Sequence, residues 1–270
     1  MKVGILLKIG CIQLSVRFGK VEENYTRVEE LIREVAKQGA EIIVLPEMWN
    51  TGYALKELEQ LADVDGTRTK AFLQSLAKEL SVHIVGGSVA TKQGAHFYNT
   101  MYTFNKEGEL VGEYNKAHLF RLLEEHLYLE AGSEMNNFTL GDLQAAGVIC
   151  YDIRFPEWLR AHALAGANVL FVPAQWPTER VDHWKTLLQA RAIENQCFVI
   201  AVNRTARNPE NYNGSSMIIE PWGEVLWTGA ADEEYAVIDV DFNKVAEVRE
   251  RIPVYADRRP NLYEQVVLKK

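Results

Sequence analysis

The feature that most constrains the fold of this chain is the alternation of short apolar runs with longer stretches of helical periodicity. In residues 21–38 the apolar side chains recur every three or four positions, and Gly39 marks a stop, as in an amphipathic helix. The next run, 41–45, is short and apolar and ends at Pro46, as in a buried strand. Strands and helices in alternation predict a layered α/β architecture, although periodicity alone does not determine the number of sheets.

The same two patterns recur along the rest of the chain. The predicted strands are 9–14, 41–45, 82–88, 97–104, one ending with 147–150, 168–172 (stopped by Pro173), 197–203, 215–219, 225–227 and 235–240. The predicted helices are 21–38, 67–80, one that Pro156 opens, and 183–195. No repeat, low-complexity tract or linker rich in Pro, Gly or Ser separates them, so we predict a single domain over residues 1–270.

Composition argues against several kinds of partner. The 29 basic and 37 acidic residues give a formal charge of −8, which disfavours non-specific binding to nucleic acid or to an anionic membrane. No segment approaches the roughly 18 apolar residues that a membrane span needs. The three cysteines, Cys11, Cys150 and Cys197, have neither the spacing of metal ligands nor that of a disulfide framework, which predicts a reduced, cytoplasmic setting.

Three segments carry a reactive side chain at the end of a strand-like run. Glu47 follows the apolar run 42–45, Lys116 lies in the segment 112–120, and Cys150 follows Gly-Val-Ile. Ligands of open α/β sheets gather outside the carboxyl ends of strands, so the three groups are expected to converge. Taken singly, they have ordinary interpretations: a solvated strand end, a surface lysine beside aromatic residues and a small buried hydrophobe. Their combination in this order favours catalysis.

The three segments resemble the Glu, Lys and Cys motifs of the nitrilase-like carbon–nitrogen hydrolase superfamily, and the similarity extends from residues 9–13 to the last predicted strands. The resemblance implies a four-layer α-β-β-α sandwich whose subunit pairs into a homodimer or a higher homo-oligomer. It implies hydrolysis of small linear amides rather than peptide bonds. It also implies that no metal and no organic cofactor is required.

The resemblance assigns Cys150 as the nucleophile, Glu47 as the base and Lys116 as a cationic stabiliser. A neutral thiol, with a free pKa of roughly 8.5, is a weak nucleophile, and a neighbouring carboxylate activates it by taking its proton. Attack on an amide carbon creates an oxyanion that well-placed donors stabilise. By resemblance, Lys116 supplies one donor and the backbone N–H of Tyr151 supplies the other.

Members of this superfamily often place a second Glu near the active site, before a glycine turn. Counting back seven residues from Gly132 identifies Glu125 as that residue. Glu124 and Glu130 are neighbouring candidates for the same role. The alternative interpretation of this segment is a charged turn on the surface.

The residues after the nucleophile, Tyr-Asp-Ile-Arg-Phe, are similar to those of the amidase branch that hydrolyses ω-amides of short dicarboxylates. Arg154 is expected to bind a substrate carboxylate, because its planar guanidinium can donate two parallel hydrogen bonds. The alternative is an ion pair with a protein carboxylate such as Glu157. Asp152 is expected to fix the turn after the nucleophile. Trp176 is expected to close over the substrate, with a place in the core or in a dimer interface as the alternative.

The sequence therefore predicts an amidase that releases ammonia from an ω-amide, such as 2-oxoglutaramate or succinamate, through a cysteine thioester. The nearer alternative is an N-carbamoyl amino acid amidohydrolase or another aliphatic amidase. The more distant alternative is a non-enzymatic interaction protein with the same fold. The intact set of Glu47, Lys116 and Cys150 weighs against that last alternative.

Overall fold

The computed structural model describes residues 5–206 and 211–267, with side chains up to Tyr263. The strands are β1 (Leu6–Gln13), β2 (Ile42–Val44), β3 (Asp63–Val64), β4 (His83–Val85), β5 (Val89–Gln93), β6 (His96–Phe104), β7 (Leu110–Asn115), β8 (Asn137–Leu140), β9 (Leu143–Gly147), β10 (Val169–Ala174), β11 (Phe198–Asn203), β12 (Thr205–Ala206), β13 (Tyr212–Asn213), β14 (Met217–Ile219), β15 (Val225–Thr228) and β16 (Glu234–Asp241). The helices are α1 (Val21–Lys37), α2 (Leu58–Leu61), α3 (Thr67–Leu80), α4 (Glu125–Tyr128), α5 (Pro156–Leu164), α6 (Val181–Asn195), α7 (Lys244–Arg251) and α8 (Pro260–Val267). Short 3₁₀ turns lie at Leu55–Glu57, Arg121–Leu123, Cys150–Arg154 and Thr178–Arg180.

Two large mixed sheets organise the chain. In the first, the strand order is β16-β1-β2-β4-β6-β5-β3, and β7 also pairs with β6. In the second, the order is β15-β14-β11-β10-β9-β8, and β12 and β13 form a separate two-stranded ribbon. β1, β2 and β4 run parallel, as do β9, β10 and β11. The antiparallel pairing of β1 with β16 joins the two ends of the chain in one sheet.

The side chains of the first sheet divide between its two faces because successive residues of a strand point in opposite directions. Ile42 and Val44 enter the core between the two sheets, whereas Ile43 packs with the apolar side chains of α1 and α3. α1 lies very close to β1. A Cβ built on Gly10 would lie 2.3 Å from Val35 of α1, so this packing requires glycine.

The second sheet is covered in the same way by α5 and α6. All six residues of β10 are buried, and its apolar side chains share one core with Leu159 of α5, Trp184 and Leu188 of α6, and Ile42 of the first sheet. Full burial of each Val, Leu or Phe side chain contributes about 1.5–3 kcal/mol. The resulting order of layers, with α1 and α3 outside the first sheet and α5 and α6 outside the second, is the α-β-β-α sandwich that the sequence predicted.

The prediction that Pro173 stops its strand was wrong, because β10 continues to Ala174. The carbonyl of Phe171 accepts a hydrogen bond from Val148 on the β9 side, and Pro173, two residues further, faces the same side. The β9 ladder ends at Phe171, so the missing N–H of Pro173 leaves no ladder partner unsatisfied. On the other side, β11 continues to pair as far as Asn203.

Across residues 5–206 and 211–267, no helix is both long enough and apolar enough to cross a membrane.

Candidate active site

The three predicted catalytic side chains converge at one end of the two sheets. Glu47 lies three residues beyond β2, Lys116 follows β7 directly, and Cys150 lies three residues beyond β9. All three are buried. Each therefore sits just beyond the end of a strand, and the expectation that strand ends bring the three together is met in the structure.

The Glu47 carboxylate is held by donors on both oxygens. Its Oε1 accepts hydrogen bonds from Lys116 Nζ at 2.8 Å and from Asn99 Nδ2 at 2.8 Å, and it lies 2.6 Å from the Tyr53 hydroxyl. Its Oε2 accepts a hydrogen bond from the backbone N–H of Gln175 at 2.7 Å. Gln175 follows β10, so the second sheet fixes a carboxylate that the first sheet supplies.

Lys116 is fully buried rather than extended along the surface. Its Nζ lies 2.8 Å from Glu47 Oε1 and 2.7 Å from Glu125 Oε1. Burial acting alone would lower the pKa of Lys116, but the carboxylates of Glu125 and Glu47 raise it well above its usual value. The side chain is therefore an ammonium.

Glu125 is the second carboxylate of the site, and the alternative interpretation of its segment as a surface turn was wrong for this residue. Glu125 is fully buried at the start of α4, whereas Glu124 and Glu130 are exposed. Its Oε2 accepts a hydrogen bond from the Phe120 N–H at 2.8 Å. Burial, together with the charge of Glu47, raises the pKa of Glu125, although Lys116 opposes that shift.

Cys150 begins the 3₁₀ turn Cys150–Arg154 with a backbone φ of +45°. A non-glycine residue in this region is strained, and such strain persists only where the surroundings enforce it. Here the enforcing group is Asp152, whose carboxylate accepts the Ile149 N–H at 2.8 Å. Asp152 also accepts hydrogen bonds from Tyr114 Oη at 2.8 Å and from the His118 N–H at 3.0 Å. Asp152 therefore fixes the turn, as expected from the sequence.

This arrangement predicts a structural cost for removing Asp152. Asp152→Ala leaves buried donors of Ile149, Tyr114 and His118 without their acceptor, and each such group costs about 1–3 kcal/mol. We expect the free energy of unfolding in urea to fall by at least about 3 kcal/mol. The exposed Asp142→Ala serves as the matched control, with an expected change within about 0.5 kcal/mol. Equal stability of the two variants would contradict the assigned role.

Cys150 is only 6% exposed. Burial and the neighbouring Glu47 raise the pKa of this thiol well above its usual value, despite the opposing charge of Lys116. The resting side chain is therefore a neutral thiol. It can become a nucleophile only if a base removes its proton during attack, and Glu47 is in place to do so.

A small cavity opens onto Cys150. Its empty space, including the mouth, is about 280 Å³. The residues that line it are Tyr53, Phe120, Leu123, Glu125, Cys150, Tyr151, Arg154, Gln175, Trp176, Pro177 and Arg180. Every residue that the sequence assigned to substrate binding is thus on the wall of this cavity, in contact with the same space as the thiol.

Arg154 and Trp176 are adjacent on that wall. The guanidinium carbon of Arg154 lies 4.8 Å from the centre of the Trp176 ring, and its Nη2 lies 3.3 Å from His183 Nδ1. Within the described residues Arg154 forms no ion pair with Glu157, and its guanidinium instead contacts His183 and Trp176. Trp176 is almost fully buried and its Nε1 donates to the Arg180 carbonyl, which fixes the ring as a rigid wall.

The sequence did not identify several residues of this site. Tyr53, Asn99, Gln175 and Arg180 were given no role. The only sequence signal for Tyr53 is its position after Gly52, in the turn that follows Glu47. Within the described residues no group of three or more His, Cys, Asp or Glu side chains is arranged to hold a metal ion.

Comparison with known proteins gives the class of this molecule. The chain belongs to the carbon–nitrogen hydrolase family, whose family model matches residues 8–250. It is therefore a hydrolase of carbon–nitrogen bonds other than peptide bonds. The resemblance inferred from the Glu, Lys and Cys segments is confirmed.

Particular relatives narrow the comparison further. The chain is 52% identical over 256 residues to the 2-oxoglutaramate amidase of Bacillus subtilis (strain 168), which covers 94% of this chain and 98% of that protein. It is 34% identical over 267 residues to omega-amidase NIT2 of Homo sapiens, covering 95% and 96% of the two chains. Its structure matches a CN-hydrolase superfamily protein of Xanthomonas campestris with a TM-score of 0.88 and 30% identity, covering 94% of this chain and 98% of that one. Nit3 of Saccharomyces cerevisiae, a nitrilase superfamily member, matches with a TM-score of 0.88 and 25% identity, covering 94% and 97%.

Proposed function

We propose that this protein is an amidase that hydrolyses the ω-amide of a short dicarboxylate, with 2-oxoglutaramate as its best substrate, through a thioester on Cys150. The observation that carries the proposal is the shared cavity: the thiol of Cys150 and the guanidinium of Arg154 line the same small space. One group suits attack on an amide and the other suits a carboxylate at the far end. The similarity to a 2-oxoglutaramate amidase and to omega-amidases supports the same substrate class.

In the acylation half of the reaction, Glu47 takes the thiol proton while the Cys150 sulfur bonds to the amide carbon. The electron pair of the carbonyl moves onto its oxygen, where Lys116 and the backbone N–H of Tyr151 stabilise the charge. Collapse of this intermediate breaks the C–N bond, and Glu47 returns its proton to the departing nitrogen. Ammonia leaves, and the acyl group remains on Cys150 as a thioester.

In the deacylation half, water replaces ammonia. Glu47 takes a proton from the water molecule as its oxygen bonds to the thioester carbon, and the same two donors stabilise the second oxyanion. The carbon–sulfur bond then breaks, and the proton held by Glu47 returns to sulfur. The balance is one amide and one water consumed, and one carboxylic acid and one ammonia produced.

A substrate panel tests this proposal. Ammonia release is measured with 2-oxoglutaramate, succinamate, neutral aliphatic amides and N-carbamoyl amino acids, and carbon dioxide is measured in parallel. The proposal expects the highest kcat/KM for a dicarboxylic monoamide and ammonia as the only volatile product. Preference for an N-carbamoyl amino acid, with ammonia and carbon dioxide released together, would instead identify the protein as an N-carbamoyl amino acid amidohydrolase.

The proposed role of Arg154 predicts a selective effect. Arg154→Ala is expected to lower kcat/KM for succinamate roughly 10- to 100-fold, because a hydrogen-bonded charged contact with the substrate carboxylate is lost. The neutral amide butyramide, of the same length, should be far less affected. Arg121→Ala, an exposed residue of the neighbouring 3₁₀ turn, is the matched control and should leave both values unchanged. An equal loss for the two substrates in Arg154→Ala would assign Arg154 a structural role.

The same proposal extends to the organisation of the protein. The pairing of β1 with β16 supports one domain over residues 1–270. Exposed apolar side chains support a homodimer or higher homo-oligomer: Ile193 lies against Gly223, the chain neighbour of exposed Trp222, and the Arg251 guanidinium lies over the Trp222 ring. The three cysteines are all free, which supports a reducing, cytoplasmic setting.

A further inference from the structure

The hydroxyl of Tyr53 lies between two buried carboxyl groups. Its oxygen is 2.6 Å from Glu47 Oε1 and 2.5 Å from Glu125 Oε1, and Lys116 Nζ lies 3.4 Å away. Both carboxyl contacts have the length of strong hydrogen bonds between oxygens. The three oxygens therefore form a continuous row beside Lys116.

The number of protons in this row is limited. A tyrosine hydroxyl carries one hydrogen and can donate one hydrogen bond, while an ionised carboxylate only accepts. Burial and the charges of Glu125 and Glu47 raise the pKa of Tyr53 well above its usual value, so the phenol keeps that hydrogen. Two short contacts from one hydroxyl to two ionised carboxylates would leave one contact without a hydrogen. One of the two carboxyl groups must therefore carry a proton and donate it to Tyr53.

The other hydrogen bonds indicate which group carries the proton. Glu47 Oε1 already accepts two N–H hydrogen bonds, from Lys116 and from Asn99. An oxygen that accepts two such bonds is best suited to be the ionised, accepting partner of Tyr53. Glu125 Oε1, within the described part of the chain, accepts an N–H from Lys116 alone. The raised pKa of Glu125, which burial causes, agrees with a proton on this second carboxyl group.

The charge balance of the site favours the same assignment. With Glu125 neutral, the ammonium of Lys116 and the carboxylate of Glu47 cancel each other. With both carboxyls ionised, a net negative charge would remain buried beside a sulfur and a carbonyl oxygen that must themselves become negative during the proposed reaction. Excess buried charge of this sign opposes both steps.

We propose that Tyr53 is a positioning residue that joins Glu125 and Glu47 in one hydrogen-bonded chain, in which protonated Glu125 donates to Tyr53 and Tyr53 donates to ionised Glu47. The backbone supports this role. Tyr53 has a φ of +69° and Met48, in the same turn, a φ of +46°, so the chain adopts a strained path that brings the hydroxyl between the carboxyls. This row of hydrogen bonds keeps one extra proton in the site. The effect of that proton on the kinetics rests on the proposed amidase function.

The first test is the pH dependence of kcat/KM in Tyr53→Phe. The charged or titratable groups that face the row are Lys116 and Cys150 beside it and Arg154 and Arg180 on the cavity wall, and the variant leaves all four in place. Glu125 loses the acceptor of its proton, so the alkaline limb should move to lower pH. The shift is expected to be roughly one pH unit, which corresponds to one lost hydrogen bond.

A purely structural tyrosine would act differently. It would change kcat or KM by the same factor at every pH and leave both limbs in place, and that result would overturn the proposal. Tyr235→Phe removes a hydroxyl that hydrogen-bonds Gln38 at the surface and is the matched control. Its profile should coincide with that of the unmodified protein.

The second test uses the resting protein without substrate, so its outcome does not depend on the amidase function. Infrared difference spectra at neutral pH, unmodified protein minus Glu125→Gln, should show the carbonyl band of a protonated carboxyl group. Tyr53→Phe keeps the aromatic ring and leaves Glu125 unsubstituted, and it should shift that band. Tyr235→Phe should not shift it. Absence of the band, or a band that Tyr53→Phe leaves in place, would overturn the proposal even if the protein is an active amidase.

Discussion

Replacing Cys150 with alanine is expected to abolish amide hydrolysis while the fold is retained. The proposed thioester forms on this sulfur, and loss of a covalent nucleophile lowers kcat on the order of 10⁴- to 10⁶-fold. Only one sulfur atom is removed, and the alanine occupies the same strained turn, so circular dichroism and the urea midpoint should stay close to those of the unmodified protein. Ammonia release with 2-oxoglutaramate measures the effect.

The other two cysteines provide matched controls. Cys11 is completely buried between the sheets, and burial raises its pKa far above the usual value. Burial also raises the pKa of Cys197 to about 12. Neither thiol lines the cavity that opens onto Cys150, so Cys11→Ala and Cys197→Ala should keep most of the activity. Substantial turnover by Cys150→Ala, or an equal loss in all three variants, would contradict the assignment of the nucleophile.

Lys116→Met is expected to damage both activity and stability. The methionine fills much of the same space but removes the cation that lies 2.8 Å from Glu47 and 2.7 Å from Glu125. Breaking a buried ion pair by removing one partner costs about 3–5 kcal/mol, because the remaining charge is left uncompensated. Loss of one oxyanion donor lowers kcat by roughly 10²- to 10³-fold. Urea unfolding and ammonia release measure the two effects separately.

A lysine on the surface provides the control for Lys116→Met. Lys92 pairs with Glu59 at 2.6 Å, but the two side chains are 29% and 70% exposed. Lys92→Met should therefore change the free energy of unfolding by about 1 kcal/mol or less and leave kcat unchanged. If Lys116→Met behaved like Lys92→Met in both measurements, neither the buried charge network nor the oxyanion role could be correct.

The convergence of Glu47, Lys116 and Cys150 was predictable because it depends on features that a sequence displays. Each reactive group follows a strand-like run, and the carboxyl ends of such strands share an edge of the fold. The four-layer order came from the family resemblance rather than from periodicity, since a three-residue run such as β2 does not show which sheet it joins. α3 has the bounds predicted for it, 67–80, because its apolar positions fit one helical face and positive-φ residues flank it.

The elements that the sequence missed or left without bounds have weak local patterns. β7 was recognised only as the strand-like run before Lys116; it carries a glycine and a glutamate in six residues and is only partly buried, so its strand character depends on pairing with β6. α7 is mostly charged and buries only Val245 and Val248, which is too narrow a stripe to stand out. In both cases tertiary contacts rather than local preference determine the structure.

The supporting residues of the site could not be found for a related reason. Asn99 lies inside β6, and its side chain reaches Glu47 only because that face of the strand is turned towards the site. Tyr53 reaches the carboxyls through a left-handed backbone conformation that its residue type does not predict. Glu125, in contrast, was found by its distance from Gly132, and the structure separates it from Glu124 by its burial and by its contact with Lys116.

In the proposed reaction an acyl group is carried on Cys150 during turnover. The most direct measurement is rapid acid quenching of the protein with 2-oxoglutaramate, followed by digestion and mass analysis of the three cysteine-containing peptides. We predict that the Cys150 peptide gains the mass of the substrate minus ammonia within the first turnover, and that the Cys11 and Cys197 peptides stay unmodified. Continued ammonia release while the Cys150 peptide carries no acyl group at any quench time would contradict the account.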